Sequence, residues 1–391
     1  MSAQAIEESI NASAAHYGAE EESVRAYLRA GLERAYALDN RGPIRFDEDG
    51  ELHRDILDAY WRYGFYVFEN VLQADELADI EADVREVHER LPTGPDSTVD
   101  KHGRPALGVD LKSRTLVWAK PLSDPLGGTE FANGRHQVKL FEPEAAADAP
   151  ENIVYLITGS LQYSEAALRV YGHPQLLAIA AAINGEDFVP FNEALFIKQP
   201  GLGAAVSWHQ DGTTHWDSPD LDQGTHGFNF MAQLYGSDPV NGVWVVPGTH
   251  KLGKMDIRKM VADAGTERLP DAIPMVCDPG DVFIANRQMV HGSFANTGTT
   301  PRLTVNFGFH RRASVLGLTG AGFHAEAQVY DAARIRERSK VIAYAIDARR
   351  QRFPDETPFV YKPLAGSEES LRWDDETKAA FKDYNLLDLS I

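Results

Sequence analysis

The stretch Trp208-His209-Gln210-Asp211-Gly212 sets an imidazole and a carboxylate one residue apart, and His291 follows far downstream in Val290-His291-Gly292-Ser293. In a strand, residues i and i+2 point the same way, so His209 and Asp211 can reach one ion together. Two imidazoles and one carboxylate suit one face of a metal and leave the other open. That is the ligand set of non-haem Fe(II) oxygenases. The open positions matter because a cosubstrate and O2 must both bind there.

Arg302 stands eleven residues after His291, in Thr300-Pro301-Arg302-Leu303-Thr304-Val305. The run alternates like a half-buried strand. Arg302, Thr304 and Asn306 fall on one side, and Leu303, Val305 and Phe307 on the other. A guanidinium fork pointing into a pocket is suited to gripping a carboxylate through two hydrogen bonds.

With these residues in view, the sequence resembles the phytanoyl-CoA dioxygenase family of Fe(II)/2-oxoglutarate oxygenases. The resemblance rests on Trp208-His209-Gln210-Asp211, on Asn241-Gly242-Val243-Trp244-Val245-Val246-Pro247-Gly248-Thr249-His250-Lys251, on His291-Gly292-Ser293 with Asn296, and on Arg302. Tyr63-Gly64-Phe65-Tyr66-Val67-Phe68-Glu69-Asn70-Val71 is similar to the family's opening strand. Close likeness covers residues 55–91 and 190–312; each motif alone is weak, and their shared order and spacing make the signal.

The resemblance implies a mainly β fold with added helices, built on a double-stranded β-helix (a cupin-like jelly roll) holding one iron. It implies Fe(II) on His209, Asp211 and His291, with 2-oxoglutarate as cosubstrate chelating the iron and Arg302 holding its far carboxylate. It implies O2 in the remaining position and oxidative decarboxylation to succinate and CO2. Related halogenases have a small residue in place of the carboxylate, so Asp211 favours hydroxylation or another oxidation. Phytanoyl-CoA itself is not implied, because members accept many substrates.

Around this set, Ser293 lies near the distal histidine, and Lys198 stands on the strand entering the metal motif; both are candidates to touch the cosubstrate. Asn229, Met231 and Gln233 alternate on one strand face, with Gln233 a candidate to hydrogen-bond a carboxylate or the substrate and Asn229 a candidate at the substrate. Many members carry tryptophan where Met231 aligns, which puts contacts from this strand in doubt. Asn306, on the Arg302 side, is a further substrate candidate. Arg287 shares the parity of His291: inward it would favour an anionic substrate group, and otherwise it forms a salt bridge on the barrel wall. His215 is a rival ligand, but it lies beyond the Gly212 turn and is assigned to the substrate mouth. His250 reads as a turn element; His226 and His310 stay unassigned.

These residues need a scaffold. From Ala194 to about His310 the chain reads as strands punctuated by Pro200-Gly201, Pro239-Val240-Asn241-Gly242, Pro247-Gly248 and Pro279-Gly280-Asp281, a pattern that predicts an all-β core. Residues 54–63 read as a short helix before a strand over Phe65–Val71. Leu77, Ile80, Val84, Val87 and Leu91 follow an amphipathic helical rhythm, and residues 161–184 also read as helical. The whole of 1–391 is expected to be one oxygenase domain. Its parts are a helical N-terminal extension over 1–54, a covering loop over 92–150, the jelly-roll core over 190–312 and a helical C-terminal extension over 325–391. The Pro- and Gly-rich stretch 92–150 has a plainer alternative, a surface insertion with no catalytic role. Residues 325–352 are expected to form a long helix.

Composition narrows the function classes. The 391 residues are 43% hydrophobic and 25% charged, ordinary for a globular protein. The formal charge of −20 argues against nucleic-acid partners and gives no general attraction for a polyanionic ligand such as a CoA thioester. A single cysteine, Cys277, rules out an intramolecular disulfide. The N-terminus has neither a basic region nor an apolar core, so no secretory signal is expected. The apolar run Leu176–Ile183 is too short to span a bilayer. The expected setting is the cytoplasm and the expected partner a small-molecule substrate, with no nucleic acid, no membrane and room for a homo-oligomer. Two other readings stay open: a metal-dependent cupin-like hydrolase or isomerase that does not use 2-oxoglutarate, and a non-catalytic binding protein on the same fold.

Overall fold

A computed structural model describes residues 2–190, 193–212, 227–320 and 327–387. Its early strands are β1 (Arg41–Gly42), β2 (Phe65–Phe68), β3 (Leu116–Ala119), β4 (Ile153–Thr158), β5 (Val189–Pro190) and β6 (Ala194–Lys198). The later ones are β7 (Val206–His209), β8 (Gly227–Gln233), β9 (Trp244–Val245), β10 (Ile273–Pro274), β11 (Val282–Asn286), β12 (His291–Ser293) and β13 (Arg302–His310). The larger sheet runs β1-β2-β11-β8-β13-β6-β4-β3, with β5 also on β13; the smaller runs β10-β9-β12-β7. From β6 onward the chain crosses between them repeatedly: β6, β8, β11 and β13 lie in the larger sheet, and β7, β9, β10 and β12 in the smaller. That winding is a double-stranded β-helix, the jelly roll implied by the motifs.

Alternation along each strand sorts the side chains. On β13, Leu303, Val305, Phe307 and Phe309 join Phe228 and Phe230 of β8 and Ile284 of β11 in the main core. Helices cover this outer face: Ala74–Glu89, Glu165–Tyr171, Pro174–Asn184 and Ala332–Arg352 all contribute buried residues to it. Each phenylalanine buried there is worth about 1.5–3 kcal/mol relative to exposure. The inner faces of the two sheets meet in a second cluster, where Phe65, Met231 and Phe283 pack against Val245 and Ile273. A third cluster backs the smaller sheet, where Ile6, Ile10, Val24 and Leu28 of the helices Ala3–Ala14 and Glu21–Tyr36 pack on Trp208 and Trp244. Gly31 permits that approach, since a Cβ there would collide with the Trp244 ring.

The expected elements appear with informative changes. The opening strand stops at Phe68 rather than Val71, because Asn70 takes a positive φ of 54° and the chain turns. The helical stretch 161–184 is two helices, Glu165–Tyr171 and Pro174–Asn184, parted at Gly172, where Pro174 opens the second. Gly172 lies against the backbone of Ala345, which leaves no room for a side chain. The long C-terminal helix begins at Ala332, capped by the Asp331 side chain. The stretch 92–150 contains β3, which extends the larger sheet beside β4, and a short helical turn Phe131–Gly134. No helix among the described residues is long and apolar enough to cross a membrane.

Candidate active site

β7 and β12 are neighbours, and His209 and His291 are directly opposed in register. Their rings lie 4.1 Å apart. Asp211 follows just past the end of β7, where its N–H donates to the Arg287 carbonyl at 2.9 Å. Gly212 then takes a φ of 109°, a turn conformation that other residues rarely adopt. Gln210 points the other way: its amide donates to Gly253 O and Gln288 O and accepts from Met255 N. A bulge between His291 and Ser293 shifts the register just past the second histidine.

The result is a compact donor set. One ligand atom each from His209, Asp211 and His291 lies within 4.8 Å of the others, and all three residues are buried. His209 Nδ1 is held by Ser207 O at 2.8 Å and His291 Nδ1 by Met289 O at 2.9 Å. A carbonyl partner requires a proton on Nδ1, so in the neutral imidazole Nε2 is the ligand atom, and each Nε2 lies toward the carboxylate. His209 Nε2 lies 3.5 Å from Asp211 Oδ1, and His291 Nε2 lies 3.9 Å from Asp211 Oδ2.

Three further groups surround the carboxylate. Asn229 Nδ2 donates to Asp211 Oδ2 at 2.9 Å. Arg287 stands 3.8 Å from the same oxygen, and Arg135 stands 3.5 Å from Oδ1. Burial opposes ionisation of Asp211, yet Arg287, His209, His291 and Arg135 together hold its carboxyl well below the usual range. Burial, then neighbouring His209, pushes the His291 imidazole down to about 4, despite the pull of Asp211. The site is therefore set for an ionised carboxylate and, at His291, a neutral imidazole, the protonation states that bind a divalent metal.

Across the barrel, Arg302 opens β13, opposite Lys198 of β6. It is buried, and its Nε and Nη1 have no hydrogen-bond partner among the described residues. Burial pushes its guanidinium down to about 10, against the attraction of Asp238. Lys198 is also buried, and its ammonium donates to Phe294 O. Asn296 Nδ2 donates to Lys198 O at 3.1 Å and Thr300 O at 2.9 Å, bracing the turn that enters β13.

The remaining expected residues are distributed as follows. Gln233 is buried with its amide committed: its oxygen accepts from Thr304 Oγ1 at 3.0 Å and its nitrogen donates to Met231 O at 3.1 Å. Ser293 is buried on β12. Asn306 is buried, with no partner for Oδ1 among the described residues. Asn229 faces Asp211, where Gly308 on the adjacent strand leaves it space. Arg287 is fully enclosed, with Asp211 on one side and His310 Nε2 at 3.3 Å. His250 is a turn residue, its Nε2 against Trp61 O at 3.1 Å. His215 and His226 lie outside the described residues.

Two neighbours were not anticipated at the site. They are Arg135 and His136, both from the stretch 92–150. The His136 ring lies 4.3 Å from the His209 ring, its Nδ1 3.3 Å from Ser207 O. Neither sits in a periodic pattern that would aim it at β7; only the path of the 92–150 segment brings them there.

The sequence profile of the family Phytanoyl-CoA dioxygenase (PhyH) matches residues 60–304, more than half of the chain. The chain belongs to this family. The matched segment carries His209, Asp211, His291 and Arg302 and excludes the N-terminal helices and the helix Ala332–Arg352. Phytanoyl-CoA dioxygenase 1 from Oryza sativa subsp. japonica is 30% identical over 115 residues, covering 27% of this chain and 38% of that protein. Dioxygenase lolE1 from Epichloe uncinata is 32% identical over 144 residues, covering 36% of this chain and 49% of that protein. The chain thus spans less than half the length of the curated relatives it matches. Among solved structures, EctD from S. alaskensis with 2-oxoglutarate and 5-hydroxyectoine aligns with a TM-score of 0.48 at 20% identity, covering 70% of this chain and 81% of that one.

Proposed function

We propose that this member of the family is an Fe(II)- and 2-oxoglutarate-dependent dioxygenase that hydroxylates a small or medium polar metabolite, releasing succinate and CO2. The observation that carries the reading is the pairing of two features in one barrel. Three convergent ligands present two imidazole Nε2 atoms and a carboxylate. The buried guanidinium of Arg302 holds two nitrogens without partners among the described residues. Leaving such donors unsatisfied costs about 1–3 kcal/mol or more for a charged group, so the pocket gains by accepting a carboxylate.

In this reading His209, Asp211 and His291 hold Fe(II), and Arg302 grips the far carboxylate of 2-oxoglutarate, with Ser293 and Lys198 beside it. With both bound, the site supplies oxidative decarboxylation coupled to attack on a substrate C–H bond. The chain's own residues do the positioning. Ser207 and Met289 carbonyls fix the imidazole tautomers, Asn229 orients the carboxylate, and the buried walls exclude water. The stretch 92–150, tied to the site through Arg135 and His136, acts as the cover, and substrate completes its closure. Arg287 serves Asp211 more directly than it serves a substrate, since Asp211 and His310 flank it in full burial. A hydrolase or isomerase on this metal site would have no use for the empty fork of Arg302. We take residues 1–391 as one oxygenase unit working in the cytoplasm on a small-molecule substrate, without nucleic acid.

Anaerobic addition of Fe(II) and then 2-oxoglutarate to the purified protein tests this reading. The expected result is a weak visible charge-transfer band, lost in His209→Ala, followed by succinate release in air. A full-strength band in His209→Ala, or no band in the wild type, would overturn it.

A further inference from the structure

We propose that the helix Ala3–Ala14, which lies outside the segment matched by the family profile, positions the cosubstrate grip, with Ser13 as the residue through which it acts. The inference rests on the iron and 2-oxoglutarate reading and deepens it by adding a positioning element to the end of the barrel that holds Arg302. Arg302 and Lys198 share one footing there, the turn 294–300 between β12 and β13.

The Lys198 ammonium donates to Phe294 O. Two residues on, the Asn296 amide ties Lys198 O to Thr300 O, and Asn296 N donates to Gly203 O at 2.8 Å. Thr300 Oγ1 donates to Asp238 Oδ2 at 2.8 Å, and Arg302 follows two residues later. A shift of this turn would therefore move both cations together.

The N-terminal helices hold the turn from outside the barrel. Ser13 Oγ and Thr297 Oγ1 share a buried hydrogen bond of 2.7 Å. Ser9, one turn earlier on the same buried helix face, lies against Gly298, where a Cβ would collide with its Oγ. Ala295 packs in one cluster with Ile10 and Ala14, and Tyr27 of the helix Glu21–Tyr36 meets the Phe294 ring edge-on. Apolar side chains at positions 9 and 13 would bury more apolar surface. A buried hydroxyl pair instead specifies one seating of the helix on the turn, because any other leaves both groups unpaired away from water. The helix thus fixes where the turn stands, and the turn fixes where the two cations stand.

The test uses the full chain under anaerobic conditions. Fe(II) is titrated first, and 2-oxoglutarate is then titrated into the Fe(II) form and read by the visible band. Thr297→Val keeps the shape of the side chain and removes its hydroxyl; Ser13→Ala removes the other partner. Each should weaken 2-oxoglutarate binding about fivefold, the size of one hydrogen bond, with Fe(II) affinity within about twofold of the wild type. Thr297→Ser, which keeps the hydroxyl, should restore most of the loss. The double variant should bind no more weakly than either single one, since both act through the same bond. Wild-type affinity for 2-oxoglutarate in both single variants, equal losses for Fe(II) and 2-oxoglutarate, or additive losses in the double variant would overturn the inference while leaving the iron and 2-oxoglutarate reading intact. Absence of the band from the wild type would overturn both.

Discussion

At the metal end of the barrel, the Ser207 and Met289 carbonyls hold the two imidazoles and Asn229 holds the carboxylate. At the other end Arg302 is buried just as deeply, yet two of its nitrogens have no partner among the described residues. The first end is organised before any ligand arrives: tautomer, rotamer and charge are set by neighbours. The second is organised around a missing partner, a burial that becomes favourable only when a carboxylate enters. The contrast separates what each end supplies. Rigid support gives metal geometry, and a held-open cation gives selective capture of an acid.

The largest effect should come from breaking the metal end at a ligand. His291→Ala should weaken Fe(II) binding, measured by anaerobic titration, by more than the roughly 10–100-fold typical of losing an outer partner. Binding within a few fold of the wild type would remove His291 from the donor set.

Arg302→Ala should act on the other end alone. It should weaken 2-oxoglutarate binding by about 1.5–3 kcal/mol, roughly tenfold to hundredfold, with Fe(II) affinity unchanged. Lysine should restore only part, since an ammonium lacks the planar fork. Wild-type affinity in the alanine variant would mean that Lys198 or another cation grips the acid.

Asn229→Ala asks how far the support of the metal end matters. It removes the hydrogen bond to Asp211 Oδ2, and Fe(II) affinity should fall by about tenfold, the lower range for outer partners. No change would show that the arginines alone orient the carboxylate.

The smallest effect is expected from Thr304→Val, which removes the donor to Gln233 without changing shape. The change in 2-oxoglutarate affinity should be within about 1 kcal/mol, roughly fivefold. A loss as large as that of Arg302→Ala would make Gln233 a direct partner of the cosubstrate.

Much of this contrast was legible in local pattern. The i, i+2 spacing of His209 and Asp211 puts both on one side, and the alternation through β13 separates Arg302, Thr304 and Asn306 from the phenylalanines of the core. Turn residues marked the strands, because glycine and proline interrupt ladders wherever they occur. The edge strand β3 was not legible, since Leu116–Ala119 sits among polar turns and, among the described residues, pairs along β4 alone. The break at Gly172 was missed because its cause is the backbone of Ala345, remote in sequence.

While the jelly roll was implied by the family resemblance, local pattern by itself determined an all-β core with added helices, the three metal-ligand candidates and an arginine suited to a carboxylate. Those follow from residue type and from periodicities of two and 3.6, which act over a few neighbours. Only the tertiary structure decided that His209 and His291 are opposed in register, that Asn229 turns to Asp211, and that Arg135 and His136 arrive from a segment without periodic pattern. Those are contacts between residues distant along the chain. They depend on how two sheets and a covering segment close on one another, which no local pattern encodes.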